Sequence, residues 1–298
     1  MIYDAHIHYI PPSIAQHTTF YKGPWSDLSR LRDYLDRYGI NKALIIYPST
    51  DAGAGLGTKK EADLYNSQIE KLIGEDKRII AAGLVDWQRP DNEVLSQVKD
   101  LKERGFCGIS IASGYDGRFV TREMFPLFAA AEKHDMVVSV HPQTINPVGF
   151  ERVRDPLLMP VLEYSFDISL CLGLFMTEGV FERFPRAKIL FSSLGGVTAF
   201  LKERFDRIYT MLRGRNMARD LGKMPSEILK MACVDTCGAP ISAIEQACAL
   251  FGKENVLWGS DYPAGSDISA NIRSLDNLGQ ETKAKVRGEN FSRLFSTT

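Results

Sequence analysis

Eight short runs of apolar residues recur along the chain, and few of them alternate with polar residues. They cover residues 2–7, 43–47, 79–85, 108–111, 136–140, 187–191, 231–236 and 256–258. In a strand with one solvent-exposed face, apolar and polar residues alternate, whereas nearly continuous apolar runs are typical of parallel strands buried on both faces. The pattern therefore predicts eight strands in a parallel sheet.

Between these runs the hydrophobic spacing changes to that of an amphipathic helix. The clearest case extends from Leu28 to Tyr38, where apolar residues follow one another at intervals of three, four and three. Gly39 and Gly105 supply helix stops at the ends of two such segments. Strand and helix alternate over residues 1–298 with no Pro/Ser-rich linker or repeat, which predicts a single α/β domain with an open or closed sheet.

Composition narrows the class of protein. The 298 residues are 44% hydrophobic and 24% charged, as in ordinary globular proteins, so the chain is neither disordered nor a coiled coil as a whole. A formal net charge of −1 gives no general attraction to nucleic acid or to an anionic membrane. We find neither an 18-residue apolar run nor a signal peptide at the N-terminus, and therefore expect a cytoplasmic protein without a transmembrane helix. The five cysteines are expected to be reduced.

Candidate metal ligands follow three of the predicted strands. His6 and His8 are two residues apart on the first strand and so face the same side. His141 ends the fifth strand, and Asp261 follows the eighth. A His-x-His pair alone is a weak signal, but these strand ends converge if the sheet closes into a barrel, where strand eight neighbours strand one. Three imidazoles and a carboxylate suit Zn²⁺ and other divalent ions.

The motifs Asp-x-His-x-His, His-Pro and Gly-Ser-Asp-Tyr-Pro resemble those of the amidohydrolase superfamily. They are most similar to its amidohydrolase-related branch, which includes aminocarboxymuconate-semialdehyde decarboxylase and related decarboxylases, hydratases and lactonases. Residues 288–295 resemble that branch's terminal helix, so the likeness covers nearly the whole chain. The resemblance implies a TIM-like (β/α)8 barrel, a homodimer, and one divalent metal, usually zinc, held by His6, His8, His141 and Asp261.

The sixth strand departs from that branch, which usually ends it with His-x-Gly-Gly. Ser193 stands where the histidine belongs, and serine cannot take up a proton near pH 7. Arg204 follows eleven residues later, at the spacing of a carboxylate-binding arginine in the decarboxylases. Arg204, or less favourably Arg207, would bind the substrate's carboxylate; the alternative is an exposed helix arginine. Asp235 ends strand seven and would contact either a metal ligand or the substrate, or else serve as a structural carboxylate. Ser193 can hydrogen-bond to substrate.

Other features carry weaker signals. Cys233 lies in strand seven and Cys237 follows it, but no second cysteine pair accompanies them, so we interpret both as structural. The glycine-rich segment 53–57 fits a flexible loop over the barrel mouth better than a phosphate-binding loop. His17 lies in the aromatic first loop with Trp25, either lining the substrate pocket or on the surface.

Three functions follow from these observations. The leading hypothesis is a metal-dependent hydrolase of a small carboxylated substrate, such as a lactone or an amide, in which Asp261 takes a proton from metal-activated water. The second is a decarboxylase of the same branch, in which Arg204 holds a carboxylate. The third is a barrel that binds a ligand but has lost catalysis together with the strand-six histidine.

Overall fold

Eight parallel strands form the centre of the computed structural model, which describes residues 1–18, 20–48, 58–115, 118–119, 121–265 and 267–296. Each strand pairs with the next one in the sequence. The strands are β1 Tyr3–Ile7, β2 Lys42–Ile45, β3 Ile79–Gly83, β4 Gly108–Ala112, β5 Val137–His141, β6 Lys188–Phe191, β7 Cys233–Asp235 and β8 Val256–Leu257. The glycine-rich segment 53–57 lies outside the described residues, so its predicted role stays a prediction.

Backbone hydrogen bonds between the end of β8 and β1 close the sheet. The Ala5 amide donates to the Trp258 carbonyl at 2.8 Å, and the Asp261 amide donates to the His6 carbonyl at 2.9 Å. Further along, the His8 amide donates to the Tyr262 carbonyl at 2.7 Å. Since strand eight lies beside strand one, the carboxyl ends of all eight strands face one mouth. The predicted TIM-like (β/α)8 barrel is confirmed.

Helices surround the barrel where the sequence has amphipathic spacing. The Asp27 carboxylate caps the start of the helix from Leu28 to Arg37, because it accepts hydrogen bonds from the amides of Ser29 and Arg30. The helices are α1 Pro12–Ala15, α2 Leu28–Arg37, α3 Thr58–Glu75, α4 Asp91–Glu103, α5 Phe125–Lys133, α6 Tyr164–Thr177, α7 Val180–Arg183, α8 Lys202–Gly214, α9 Pro225–Leu229, α10 Ile241–Phe251, α11 Ile268–Ser274, α12 Gln280–Ala284 and α13 Asn290–Phe295.

One helical stretch is long and apolar enough to cross a membrane, although the sequence led us to expect none. It covers Met159–Thr177, with a mean hydropathy of 1.3, and includes α6. In the barrel, Ile168, Leu172 and Phe175 of this stretch are buried in the hydrophobic core. The helices of a soluble core pass the same test of length and composition.

The two ends of the barrel differ in polarity. Tyr3, Val137 and Cys233 are the first residues of β1, β5 and β7, and they join a buried apolar cluster with Phe291 and Leu294 of α13. Cys233 is therefore a core residue, in agreement with its predicted structural role. The carboxyl end instead carries buried histidine and aspartate side chains. Because charged groups are costly to bury without partners, this polar end is the candidate functional face.

Candidate metal centre

Three histidines meet at the carboxyl end of the strands. His6 and His8 extend to the same side of β1 because they are two residues apart, and His141 is the last residue of β5. Their relative exposures are only 0%, 1% and 7%. One ring nitrogen from each of the three lies within 4.8 Å of the others, and the Nε2 atoms of His6 and His8 are 3.1 Å apart. The structure therefore brings the predicted histidine ligands together.

Each of these rings uses its Nδ1 in a hydrogen bond. His8 Nδ1 donates to the Ile46 carbonyl at 3.0 Å, and His141 Nδ1 donates to the Pro142 carbonyl at 2.9 Å. His6 Nδ1 lies 3.0 Å from both carboxylate oxygens of Asp235. A carbonyl can only accept, so His8 and His141 each carry a proton on Nδ1 and a lone pair on Nε2 in the neutral ring. Partners of this kind orient metal-binding imidazoles.

Asp261 completes the predicted set. Its Oδ1 lies 3.4 Å from His6 Nε2 and 3.3 Å from His8 Nε2. With 27% of its side chain exposed, Asp261 is the more open member of the group, towards the barrel mouth. The amide of Asp261 donates to the His6 carbonyl, which fixes the loop after β8 against β1. Three imidazole nitrogens and one carboxylate oxygen are a donor set that fits a divalent cation.

The electrostatics of the cluster also fit a cation. Burial opposes protonation of His6, but Asp235 and Asp261 outweigh it and raise the pKa of His6 to about 9. Burial lowers the pKa of His8, and it lowers that of His141 still further. Burial also disfavours the charged form of Asp261, but its pKa is lowered because the neighbouring histidines stabilise the carboxylate. A metal ion would take the place of the proton that His6 otherwise holds.

Asp4 supports the centre from below. It is fully buried, and its carboxylate accepts the amides of His6 and Ser260, each at 3.0 Å, as well as the Tyr34 hydroxyl. Burial raises the pKa of Asp4 to about 6. The carboxylate thus ties β1, the loop after β8 and α2 together. Asp4 belongs to the sequence motif, but nothing in the sequence singles out Tyr34 or Ser260.

Cys237 is a member of the site that the sequence analysis missed. Its Sγ lies within 4.8 Å of a His6 ring nitrogen and an Asp261 oxygen, and its thiol contacts the side chain of Ser193. Burial and the two aspartates nearby raise the pKa of the thiol well above its usual value. Its position two residues beyond Asp235, at the end of a barrel strand, was the available signal. The structural role predicted for Cys237 is therefore incomplete.

Backbone strain gathers at the same place. Ser193, Cys237 and Asp261 follow β6, β7 and β8, and they have φ angles of 53°, 43° and 61°. Residues with a Cβ rarely adopt this left-handed conformation, and such strain concentrates at functional sites. The Ser193 amide points to Asp235 Oδ1 at 3.4 Å, so Ser193 joins the network around His6.

An aromatic wall borders the histidines. The ring of Trp25 stacks on that of His8, with centroids 5.4 Å apart and an angle of 22° between the planes. Tyr21 packs edge-on against Trp25 at 4.8 Å, and Phe20 also contacts it. The first loop thus covers one side of the site through its aromatic side chains. His17, in contrast, is exposed.

The arginine candidates lie elsewhere. Arg204 and Arg207 are exposed residues of α8. Arg204 lines a cavity of about 410 Å³ between α6 and α8, together with apolar residues such as Leu170 and Phe205. None of the three histidines of the site, nor Asp261, is among the residues that line this cavity. Carboxylate binding by Arg204 stays a prediction, as do the substrate contacts of Asp235 and Ser193.

Two characterised relatives are decarboxylases. The 2-amino-3-carboxymuconate-6-semialdehyde decarboxylase of Dictyostelium discoideum is 26% identical over 77% of this chain and 64% of its own length. The chain thus spans less than two thirds of that protein. The 6-methylsalicylic acid decarboxylase of Penicillium expansum is 24% identical over 95% of this chain and 92% of its own length.

A solved structure has the same fold. It is the 5-carboxyvanillate decarboxylase of Novosphingobium aromaticivorans, in complex with manganese and 4-hydroxy-3-methoxy-5-nitrobenzoic acid. The two chains superpose with a TM-score of 0.82 at 21% identity, over 99% of this chain and 96% of the other.

The hydrolase hypothesis is wrong, because both characterised relatives are decarboxylases. The error has a physical reason. A cation held by three histidines and an aspartate can activate water, but it can equally bind the oxygens of a carboxylated substrate, so these ligands do not distinguish the two reactions. The serine at position 193 does not distinguish the two reactions either.

The family itself is established over almost the whole chain. A model of the Amidohydrolase family, Amidohydro_2, matches residues 3–296. This range contains every strand of the barrel and every residue of the histidine cluster. The chain belongs to the amidohydrolase family.

Proposed function

We propose that this protein is a metal-dependent decarboxylase that acts on a small aromatic or conjugated carboxylic acid. The observation that carries the proposal is the meeting of three buried imidazoles with an ionised Asp261 beside the stacked ring of Trp25. Both characterised relatives support this reaction class. The name of the Penicillium relative supports an aromatic substrate, and the aromatic wall offers such a ring a flat apolar surface.

His6, His8, His141 and Asp261 would hold the ion, and the nitrogen donors favour Zn²⁺. Bound there, a divalent cation supplies a fixed positive charge that binds substrate oxygens and withdraws electron density from the scissile bond. Asp235 keeps the His6 ring in place through Nδ1, and the carbonyls of Ile46 and Pro142 do the same for the other two rings. These hydrogen bonds at Nδ1 keep the three Nε2 atoms directed towards one point.

Asp261 is placed to move a proton. Its lowered pKa makes it a carboxylate at neutral pH, so it can take the acidic proton of the incoming substrate. When the bond between the carboxyl carbon and the ring breaks, its electron pair stays on the ring carbon. The proton passes from Asp261 Oδ2 to that carbon, and carbon dioxide leaves. The reaction is balanced without another reactant.

A panel of hydroxybenzoic and unsaturated carboxylic acids, assayed for released carbon dioxide, tests this proposal. The product should carry one deuterium at the former carboxyl position when the reaction runs in heavy water. Chelator treatment should abolish the release, and added Zn²⁺ should restore it. A metallated protein that binds these acids but releases no carbon dioxide would contradict the proposal and favour a ligand-binding barrel.

A further inference from the structure

The thiol of Cys237 faces the proposed metal ligands. Its Sγ and the donor atoms of His6 and Asp261 all lie within 4.8 Å of one another. The other four cysteines do not share this position: Cys233 belongs to the apolar cluster at the opposite end of the barrel, and none of the remaining three joins a donor group among the described residues. One of five thiols is therefore at the centre.

The backbone holds Cys237 in this position against its conformational preference. Its φ of 43° is left-handed, and the next residue, Gly238, has a φ of 73°. The turn is fastened to the loop after β8, since the Gly238 amide donates to the Gly259 carbonyl at 2.8 Å. Thr236 Oγ1 donates to the same carbonyl at 3.0 Å and accepts the Gly259 amide at 2.9 Å. Left-handed strain in a residue that carries a Cβ persists only where its surroundings enforce it.

The spacing suits a shared ion. Zn–S bonds are about 2.3 Å and Zn–N and Zn–O bonds about 2.0–2.2 Å, so two donors on one ion lie at most about 4.5 Å apart. The donor atoms of Cys237, His6 and Asp261 lie within 4.8 Å of one another, so small movements of these side chains would bring them onto one ion. Ser193 occupies the position after β6 and contacts the thiol. Its small side chain leaves Cys237 room beside Asp261.

We propose that Cys237 is an additional ligand of the metal ion held by His6, His8, His141 and Asp261. This inference rests on the proposed metal-dependent function. A thiolate is a soft donor, and it favours Zn²⁺, Co²⁺ and Cd²⁺ over Mn²⁺, which prefers oxygen ligands. The chain's metal preference would thereby differ from that of a site with only nitrogen and oxygen donors.

Cobalt substitution tests the sulfur ligand without an activity measurement. Co²⁺ bound by histidine and aspartate gives weak d–d bands in the visible region, and a thiolate ligand adds an intense sulfur-to-cobalt charge-transfer band in the near ultraviolet. The protein loaded with one equivalent of Co²⁺ should show both. Cys237→Ser and Cys237→Gly should retain the d–d bands and lose the charge-transfer band. Glycine adopts the left-handed conformation without strain, so the second variant removes the thiol while preserving the turn.

Cys248→Ala, in α10, is the matched control and should leave both bands unchanged. A spectrum of the wild type with d–d bands alone would overturn the thiol ligand and leave the metal site intact. A charge-transfer band that persists in Cys237→Gly would also overturn it. The absence of any cobalt band would overturn the proposed metal-dependent function and this inference with it.

Metal competition gives a second measurement. The wild type and Cys237→Ser are each dialysed against equal concentrations of Zn²⁺ and Mn²⁺. The ratio of bound Zn²⁺ to bound Mn²⁺ should be roughly tenfold or more higher in the wild type, the order of effect expected for a contact at a metal centre. Elemental analysis of the protein measures that ratio directly. Equal ratios in the two proteins would contradict the proposal.

Discussion

Replacing Asp235 by asparagine should weaken metal binding without removing a ligand. Both carboxylate oxygens lie 3.0 Å from His6 Nδ1, and Asp235 is fully buried, so no water can substitute for it. Asparagine retains the size of the side chain and one oxygen that can accept the Nδ1 proton, but it loses the negative charge and the second accepting oxygen. The His6 ring is then held by a weaker hydrogen bond, and its Nε2 is a weaker base.

Loss of such a partner typically costs 10–100-fold in metal affinity, which corresponds to about 1.4–2.7 kcal/mol. A loss within that range is expected, because the substitution removes one of the two accepting oxygens and a negative charge that is shielded from solvent. Competition with a chromophoric chelator at pH 7 measures the affinity. In the metal-free protein the same substitution should lower the pKa of His6, which is about 9 in the wild type, and a proton NMR titration of the imidazole follows this.

Asp86→Asn is the matched control. Asp86 is also a buried aspartate, at 4% exposure, but it pairs with Arg89 on the connection after β3. Metal affinity should be unchanged in this variant. If the Zn²⁺ affinity of Asp235→Asn is within twofold of the wild-type affinity, Asp235 does not orient His6 for a metal ion, and this prediction is wrong.

The remaining predictions concern catalysis, stability and assembly. Asp261→Asn should lower kcat by about 10²–10⁴-fold in the fully metallated protein, whereas Ser193→Ala should lower it far less; the reverse order would reassign the proton transfer. Burial outweighs a hydrogen bond from Tyr47 and raises the pKa of Glu61 from 4.5 to about 7. Because the native state holds this proton more tightly than the unfolded chain, it loses up to about 3 kcal/mol of stability as the pH rises from 4.5 to 7. In Glu61→Gln, the free energies of unfolding measured with urea at pH 4.5 and pH 7 should differ less than they do in the wild type. Trp25→Leu should raise KM for aromatic acids more than for aliphatic ones in steady-state assays. Light scattering tests the homodimer, and a monomer at micromolar concentration would contradict it.

The grouping of the candidate ligands could be predicted from the sequence because local geometry determines where their side chains point. His6 lies in β1 and His8 directly follows that strand, so the two side chains face the same side, and barrel closure placed Asp261 beside them. Cys237 escaped prediction because its direction depends on a left-handed φ, which no pattern of residue types reveals. The reaction also escaped, because the same ligands serve water activation and the binding of a carboxylated substrate. Asp235 was identified as a candidate, but its contact with His6 joins residues that are 229 positions apart and depends on the folded barrel.

The left-handed residues after β6, β7 and β8 have a consequence for how the barrel mouth opens. The amide of Asp261 is bonded to β1, and that of Gly238 to the loop after β8, so neighbouring turns are linked to one another rather than only to their own strands. None of these linked turns can unfold without breaking the bonds of the next. Hydrogen exchange should therefore show the Asp261 and Gly238 amides opening together, at one common rate. Their shared protection should rise with bound metal and fall, for the pair alike, when it is removed.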